Sequence, residues 1–232
     1  MKKKIVALSA IVIMLTTISG TLALTSSENS SETAMSTGNV EIIQIEKERI
    51  PGTNELRNFS QNQNIEPAYF AEGELKLADT EQTWTQVGAP GSNRLYDDSV
   101  KNVIDKFVFV KNIGDDDAYF RTIIAVECPE GVDANIIGLN INESSKFSWS
   151  SGEYQIINNK RYYKKVATYQ GVLKKDETSV PSLLQVYLKP EMTNKHMELI
   201  GDEFDIIVKS QAVPATAGVT PEAKLTQVYD NN

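Results

Sequence analysis

The sequence has almost none of the residues on which most metal and nucleophilic sites depend, with one histidine and one cysteine in 232 residues. One cysteine cannot form an intramolecular disulfide, and His196 lacks the second histidine of an HExxH zinc motif. The sequence contains no GxSxG segment and no glycine-rich phosphate loop. Cys128 is interpreted as a small buried hydrophobic residue, with a reactive thiol as the alternative. The sequence therefore predicts no catalytic residues, no cofactor and no enzymatic activity.

An excess of positive charge is missing as well. Lysine and arginine number 23 against 31 aspartates and glutamates, which gives a formal net charge of −8. Nucleic-acid-binding proteins carry a basic face that attracts the phosphate backbone. After residues 2–4, the positive charges of this chain are interspersed with negative ones. We therefore expect no nucleic-acid partner.

Long apolar runs are scarce, and the longest one stands near the N-terminus. Residues 5–18 are mostly apolar, but they are too few and too interrupted by serine and threonine for a good transmembrane helix. Lysines at positions 2–4 precede them, and small residues follow at the spacing that a signal peptidase recognises. We predict a signal peptide over residues 1–23, cleaved between Ala23 and Leu24. The protein is then expected to be secreted, and to contact a membrane only through the uncleaved signal.

The composition divides the rest of the chain into three parts. Residues 24–39 are rich in serine, threonine, glutamate and asparagine and are predicted to be a mobile segment, because they can bury little apolar surface. Residues 40–213 contain short β-rich runs separated by turn signals, with a short helix expected over 190–200. This pattern predicts an all-β fold, a jelly-roll-like sandwich with a few short helices in its connections. Residues 214–232 are predicted to be a flexible tail.

Two strand pairs are the clearest elements of this pattern. Residues 103–127 contain two β-rich runs on either side of residues 112–117, which favour a turn, and they are predicted to form a central hairpin. Residues 154–157 and 161–169 flank Asn158–Lys160 and are predicted to form a second hairpin, because asparagine tolerates positive φ.

The acidic turn in the first of these hairpins is the candidate metal site. Asp115, Asp116 and Asp117 supply hard oxygen ligands of the kind that Ca²⁺ prefers. Their spacing departs from the D-x-D-x-D-G pattern of an EF-hand loop, so a solvated turn is the preferred interpretation and calcium the alternative. Arg121, which follows the turn, is expected to be a strand residue paired with a nearby carboxylate.

Several short motifs recur in an order that is typical of one protein family. They are the signal end Gly20–Ala23, the domain start Thr37–Ile42, the runs Lys106–Gly114 and Asp117–Thr122, and the closing strand Phe204–Val213. The third and fourth match a "V-x-N-x-G … A-Y-x-R" pattern. In this order, over about residues 5 to 213, the chain resembles the TasA/camelysin family of secreted biofilm-matrix fibre proteins.

This resemblance implies a jelly-roll subunit that assembles head-to-tail into extracellular matrix or cell-surface filaments. In such an assembly the N-terminal segment of one subunit adds as a strand to the next, so residues 24–39 are the candidate donor strand. The expected partners are further copies of the chain, an accessory matrix subunit, and a SipW-type signal peptidase. The residues expected at the assembly contact are Leu24, Met35, Val40 and Ile42.

Two other functions stay open. A secreted β-sandwich can bind polysaccharide or a cell-wall partner through exposed aromatic rings. The aromatic candidates are Trp84, Tyr96, Trp149, Tyr162 and Tyr163. The resemblance also includes a camelysin-type metalloprotease activity, which a chain with one histidine and no zinc motif makes less favourable.

Overall fold

The computed structural model describes residues 3–6, 32–37, 39–50, 53, 55–60, 63–70, 100–201 and 203–230. The strands in chain order are β1 (Lys3–Val6), β2 (Glu32–Thr37), β3 (Val40–Arg49), β4 (Leu56–Asn58), β5 (Asn64–Ile65), β6 (Tyr69–Phe70), β7 (Val100–Lys101), β8 (Val103–Asp105), β9 (Phe107–Asn112), β10 (Ala118–Glu127), β11 (Ile137–Ile141), β12 (Phe147–Trp149), β13 (Glu153–Ile157), β14 (Lys160–Tyr169), β15 (Leu183–Leu188) and β16 (Glu203–Pro214). The helices are α1 (Asn194–Ile200) and α2 (Pro221–Tyr229).

Backbone pairing arranges these strands into four sheets. The largest runs β12-β14-β10-β16-β1-β5, with β13 paired to the other part of β14. A second sheet has the strand order β2-β3-β4, with β9 also paired to β3, and a third sheet has the order β11-β15-β8. β6 and β7 form a short two-stranded sheet. Among these named strands the pairing is antiparallel, except that β1 runs parallel to β16.

The second and third sheets belong to one layer of the sandwich. The segment 177–182 lies beside β9, where Ser179 N donates to Val110 O at 2.8 Å and Ser182 N donates to Val108 O at 2.9 Å. Backbone pairing therefore continues from β3 through β9 to β15. This layer packs against the sheet that contains β14, β10 and β16. The predicted all-β sandwich with a few short helices is therefore confirmed.

Apolar side chains from the two layers meet in two large clusters. Each fully buried large apolar side chain stabilises the fold by roughly 1.5–3 kcal/mol. The first cluster includes Ile104, Val108, Ile124, Val126, Leu183, Val186, Phe204 and Ile206. The second includes Val40, Ile42, Val110, Ala118, Phe120, Phe147 and Tyr169. In the second cluster the rings of Phe120 and Tyr169 stack with centroids 4.9 Å apart.

Two local predictions are confirmed. β13 and β14 form the hairpin predicted around Asn158, and both Asn158 (φ 48°) and Asn159 (φ 62°) adopt the positive φ that a two-residue hairpin turn requires. The short helix expected over residues 190–200 is α1. Thr193 caps its N-terminus, and Gly201 ends it with a φ of 80°.

The predicted central hairpin over residues 103–127 is wrong. β9 pairs with β3, whereas β10 pairs with β14 and β16, so the two strands lie in different layers. The connection between them, residues 113–117, is an arch that crosses the sandwich. A hairpin and an arch have the same alternation of apolar residues in each strand, so the pattern alone could not separate them.

A buried asparagine side chain holds the arch together. Asn112 is fully buried, and its Nδ2 donates to Asp116 O at 2.8 Å and to Leu173 O at 3.0 Å. Its Oδ1 accepts from Gly114 N at 3.0 Å. Gly114 lies so close to the start of β3 that an added Cβ would lie 2.6 Å from Glu41 N. The "N-x-G" part of the motif therefore shapes the arch.

The C-terminal residues 214–232 were predicted to be a flexible tail, and this is wrong for α2. Thr220 caps this helix, and Leu225 is 1% exposed in a cluster with Tyr119. Arg121 binds Asp230 through two hydrogen bonds of 2.7 Å, and this contact lowers the pKa of the Asp230 carboxyl. The carboxylate partner of Arg121 is thus distant in sequence, whereas a nearby one was predicted.

Two strands lie within N-terminal segments for which the composition predicts no strand, the signal peptide 1–23 and the mobile segment 24–39. β1 lies inside the predicted signal peptide, which stays a prediction. β2 lies inside segment 24–39, whose mobility stays a prediction, and it pairs with β3 over six residues despite its polar composition. The physical reason is that a strand can gain backbone hydrogen bonds from a neighbour even when its own composition is polar.

We expect Asn112→Ala to lower the free energy of unfolding by about 2–4 kcal/mol, because it leaves buried backbone groups of the arch without partners. Denaturant unfolding followed by tryptophan fluorescence measures this change. Asn135→Ala is the matched control, since Asn135 is exposed and should change stability by less than about 0.5 kcal/mol. Equal stabilities of the two variants would contradict the structural role of Asn112.

Candidate functional site

Two of the four residues predicted to contact a second subunit, Val40 and Ile42, lie on an inner strand. Leu24 and its neighbour at the cleavage position, Ala23, lie outside the described residues. Met35 lies in β2, opposite Ile42 of β3. Val40 and Ile42 are each 1% exposed and pack in the second core cluster. β3 is an inner strand, so these two side chains belong to the core of their own subunit, and their assignment to an assembly contact stays a prediction.

The three aspartates of the arch point into solvent. All of residues 115–117 are exposed. Asp115 Oδ1 accepts from Lys175 Nζ at 2.6 Å, and this hydrogen bond lowers the pKa of the Asp115 carboxyl. The carbonyl of Asp117 accepts from Ala215 N at 2.8 Å. Among the described residues, no group of three or more His, Cys, Asp or Glu side chains could hold a metal ion.

Cys128 and His196 have structural contacts. Cys128 is fully buried, its thiol donates to Val132 O at 3.2 Å, and burial raises the pKa of the thiol. A raised pKa lowers the thiolate fraction and with it the reactivity. His196 Nδ1 accepts from Thr193 N at 3.2 Å within the N-terminal cap of α1. The structure thus favours the buried interpretation of Cys128.

The aromatic residues considered for polysaccharide binding mostly belong to the interior. Tyr162 is 1% exposed, and Trp149 packs against the core while its indole N–H donates to a backbone carbonyl at 2.8 Å. Tyr163 packs partly against the first core cluster. Trp84 and Tyr96 lie outside the described residues.

An open cleft beside β13 carries the exposed aromatic residue that sequence reasoning missed. Tyr154 is 46% exposed, and the Arg161 guanidinium lies 3.7 Å from the centroid of its ring. The Tyr154 hydroxyl accepts from Ala134 N at 3.1 Å. The cleft has a volume of about 530 Å³, and its lining residues are Glu130, Gly131, Val132, Asp133, Tyr154 and Arg161. Tyr154 shares its strand face with Ile156, which is 65% exposed, but no sequence signal distinguishes them from core residues.

Strands with one free edge are the second kind of feature that can bind a partner. β2 pairs only with β3, and β13 pairs only with β14, among the described strands. Alternate residues of an edge strand direct their N–H and C=O groups away from the sheet, where another strand can pair with them. The edges of β2 and β13 are therefore places where a strand of another molecule can pair with the backbone.

The beginning of β16 is fixed by an ionic cluster on one side. Lys160 Nζ lies 2.7 Å from Asp205 Oδ2 and 3.1 Å from Glu127 Oε2, and Asp205 N donates to Glu127 Oε2 at 3.2 Å. Partial burial alone would lower the pKa of Lys160, but its hydrogen bonds to the two carboxylates raise it. Burial, aided by the carboxylates, raises the pKa of Tyr162 to about 12. These residues are distant in sequence, so only the fold reveals the cluster.

No described helix is both long enough and apolar enough to cross a membrane. In comparisons with known proteins, the chain matches no family model and no curated protein. The resemblance of the motifs to the TasA/camelysin family therefore stays a prediction.

We expect calorimetric titration with Ca²⁺ to give no saturable heat, either with the native chain or with the triple variant Asp115→Asn, Asp116→Asn, Asp117→Asn. The reason is that Asp115 already binds Lys175 and the neighbouring carboxylates face solvent. Lys175→Met removes the lysine that binds Asp115, so it is the control that leaves all three aspartates without that ion pair, and it should give no saturable heat either. A saturable heat that the native chain gives and the triple variant loses would show that the arch is a calcium site.

Proposed function

We propose that this protein is a secreted structural subunit that assembles head-to-tail into extracellular matrix or cell-surface filaments, with its N-terminal segment as the donor strand. Processing by a SipW-type signal peptidase, which the resemblance implies, would produce the mature N-terminus. The partner is another copy of the chain, and an accessory matrix subunit can use the same contact. The proposal assigns no catalytic step to the protein.

The position of β2 is the observation that carries this proposal. β2 is the first described strand after the predicted cleavage position, and only two residues separate it from β3. One of its edges pairs with β3, and the other has no strand partner among the described residues. Residues that precede such an edge strand leave the sheet at its border, where they can add as a strand to an identical subunit.

Head-to-tail addition also explains why a filament, and not a closed dimer, is the expected product. The donor segment and the edge that receives it are different surfaces of the same subunit, so the contact is heterologous. A heterologous contact that does not close into a ring continues without limit. The expected contact is formed by the backbone N–H and C=O groups of the two strands.

Binding of polysaccharide or a cell-wall partner is the second candidate function. The observation in its favour is the cleft beside β13, where exposed Tyr154 lies under the Arg161 guanidinium. An exposed ring and a cation together can stack on a sugar and bind its acidic groups. Only one exposed ring lines this cleft, so we rank this function below filament assembly.

The test of filament assembly is electron microscopy of the processed protein at rising concentration. We expect filaments from the native chain, whereas the variant that lacks residues 24–37 should stay a folded monomer, as circular dichroism and size-exclusion chromatography would show. Tyr154→Ser is the matched control, because it changes the cleft and leaves the donor segment intact, so its filaments should persist. Filaments from the deletion variant would contradict strand donation, and sugar binding by the native chain that Tyr154→Ser abolishes would favour the second function.

A further inference from the structure

β1 occupies a strand-wide position between two other strands. On one side, Lys4, Ile5 and Val6 lie opposite Glu203, Phe204 and Asp205 of β16, in parallel. On the other side, β1 pairs antiparallel with β5, at residues 64–65. We name this position the β16–β5 slot. It differs from the free edges of β2 and β13, because a strand in the slot pairs on both sides.

The predicted processing of the chain would vacate this slot. Cleavage after Ala23 removes β1 together with the rest of residues 1–23. The backbone N–H and C=O groups that β16 and β5 direct toward β1 would then lose their partners. The unpaired backbone groups of β16 then form a template for an incoming strand. β5 is held opposite them by the residues beside it, since Gln63 Nε2 donates to Glu48 Oε2 at 2.6 Å and Ala68 N donates to Leu188 O at 2.7 Å.

The wall that β16 contributes to the slot does not depend on β1. Phe204 is fully buried in the first core cluster. Asp205 N donates to the Glu127 carboxylate at 3.2 Å, and Lys160 of β14 binds the carboxylates of both Glu127 and Asp205. From residue 206 onward, β16 pairs continuously with β10. The beginning of β16 is therefore held in the extended conformation that a new strand needs.

The edge of β16 beyond the slot already has partners within the chain. The Gln44 side chain of β3 donates to Val208 O at 3.2 Å and accepts from the Ser210 hydroxyl at 2.9 Å. Ser210 is fully buried and also lies 3.1 Å from the Thr122 hydroxyl. These contacts satisfy polar groups along this part of β16, so the part of β16 that cleavage leaves without its partner is residues 203–205.

We propose that the β16–β5 slot is the acceptor for the N-terminal segment of a second copy, and that residues 3–6 occupy it until the signal peptide is removed. The inference rests on the proposed filament function and names its acceptor. The segment before β2 in the processed chain spans residues 24–31, which reach roughly 26 Å when extended and so suffice to cross to a neighbour. Cleavage then both creates the donor end and opens the acceptor, which prevents assembly before export.

The test uses the full chain with a protease recognition sequence inserted between residues 23 and 24. Residues 4 and 203 lie directly opposite each other on β1 and β16. The double variant Lys4→Cys, Glu203→Cys should therefore form a disulfide, because directly opposed strand residues lie within disulfide reach. The matched control is Lys4→Cys, Gln155→Cys, which places the second cysteine on β13 and should not form one. Buried Cys128 stays in place in both variants.

After proteolysis, the oxidised Lys4→Cys, Glu203→Cys protein keeps its severed leader tethered in the slot, and we expect filament growth at least tenfold slower than in the reduced protein. Addition of a reductant should restore growth. Equal growth of the oxidised and reduced forms would overturn the slot as the acceptor while leaving filament assembly intact. A disulfide to position 155 in place of 203 would overturn it as well. Failure of both forms to assemble would overturn the filament function together with this inference.

Discussion

The crossing from β9 to β10 is the constraint on which the rest of the structure depends. Because residues 113–117 carry the chain from one layer to the other, β9 pairs with β3 and β10 becomes free to pair with β16. The buried Asn112 side chain fixes this crossing through three hydrogen bonds in the interior. The side chains that follow, Tyr119 and Arg121, then hold the C-terminal residues against the same layer.

In the proposed function, recognition takes place at strand edges. The conspicuous side chains of the motif serve the fold, and the aspartates of the arch bind Lys175 or face solvent. The whole chain has a net charge of −8, and loss of the three lysines at positions 2–4 with the predicted signal peptide makes it −11. Copies of the processed subunit would repel each other at long range, so the proposed assembly requires a specific contact at short range. Backbone pairing in a slot that is one strand wide meets this requirement, because it depends on shape and direction more than on charge.

Much of the fold follows from the sequence. The turn at Asn158 and the end of α1 at Gly201 depend on residues that tolerate positive φ, so local chemistry determines them. The arch could not be distinguished from a hairpin, because the residues that pair with β9 lie 60 to 70 positions earlier in the chain. The ion pair of Arg121 with Asp230 and the cluster around Lys160 have the same origin, since they join residues that only the tertiary fold brings together. The acceptor slot was equally unpredictable, because backbone edges have no sequence signature.

The most direct test of the account is hydrogen–deuterium exchange of the backbone amides in the precursor, the processed monomer and the filament. Amide exchange reports the loss and return of backbone hydrogen bonds residue by residue. We predict that residues 203–205 exchange slowly in the precursor, at least tenfold faster in the processed monomer, and slowly again in the filament, while β13 remains unchanged. Filaments in which residues 203–205 stay fast and β13 becomes protected would contradict the account, because the receiving edge would then lie at the opposite end of the sheet.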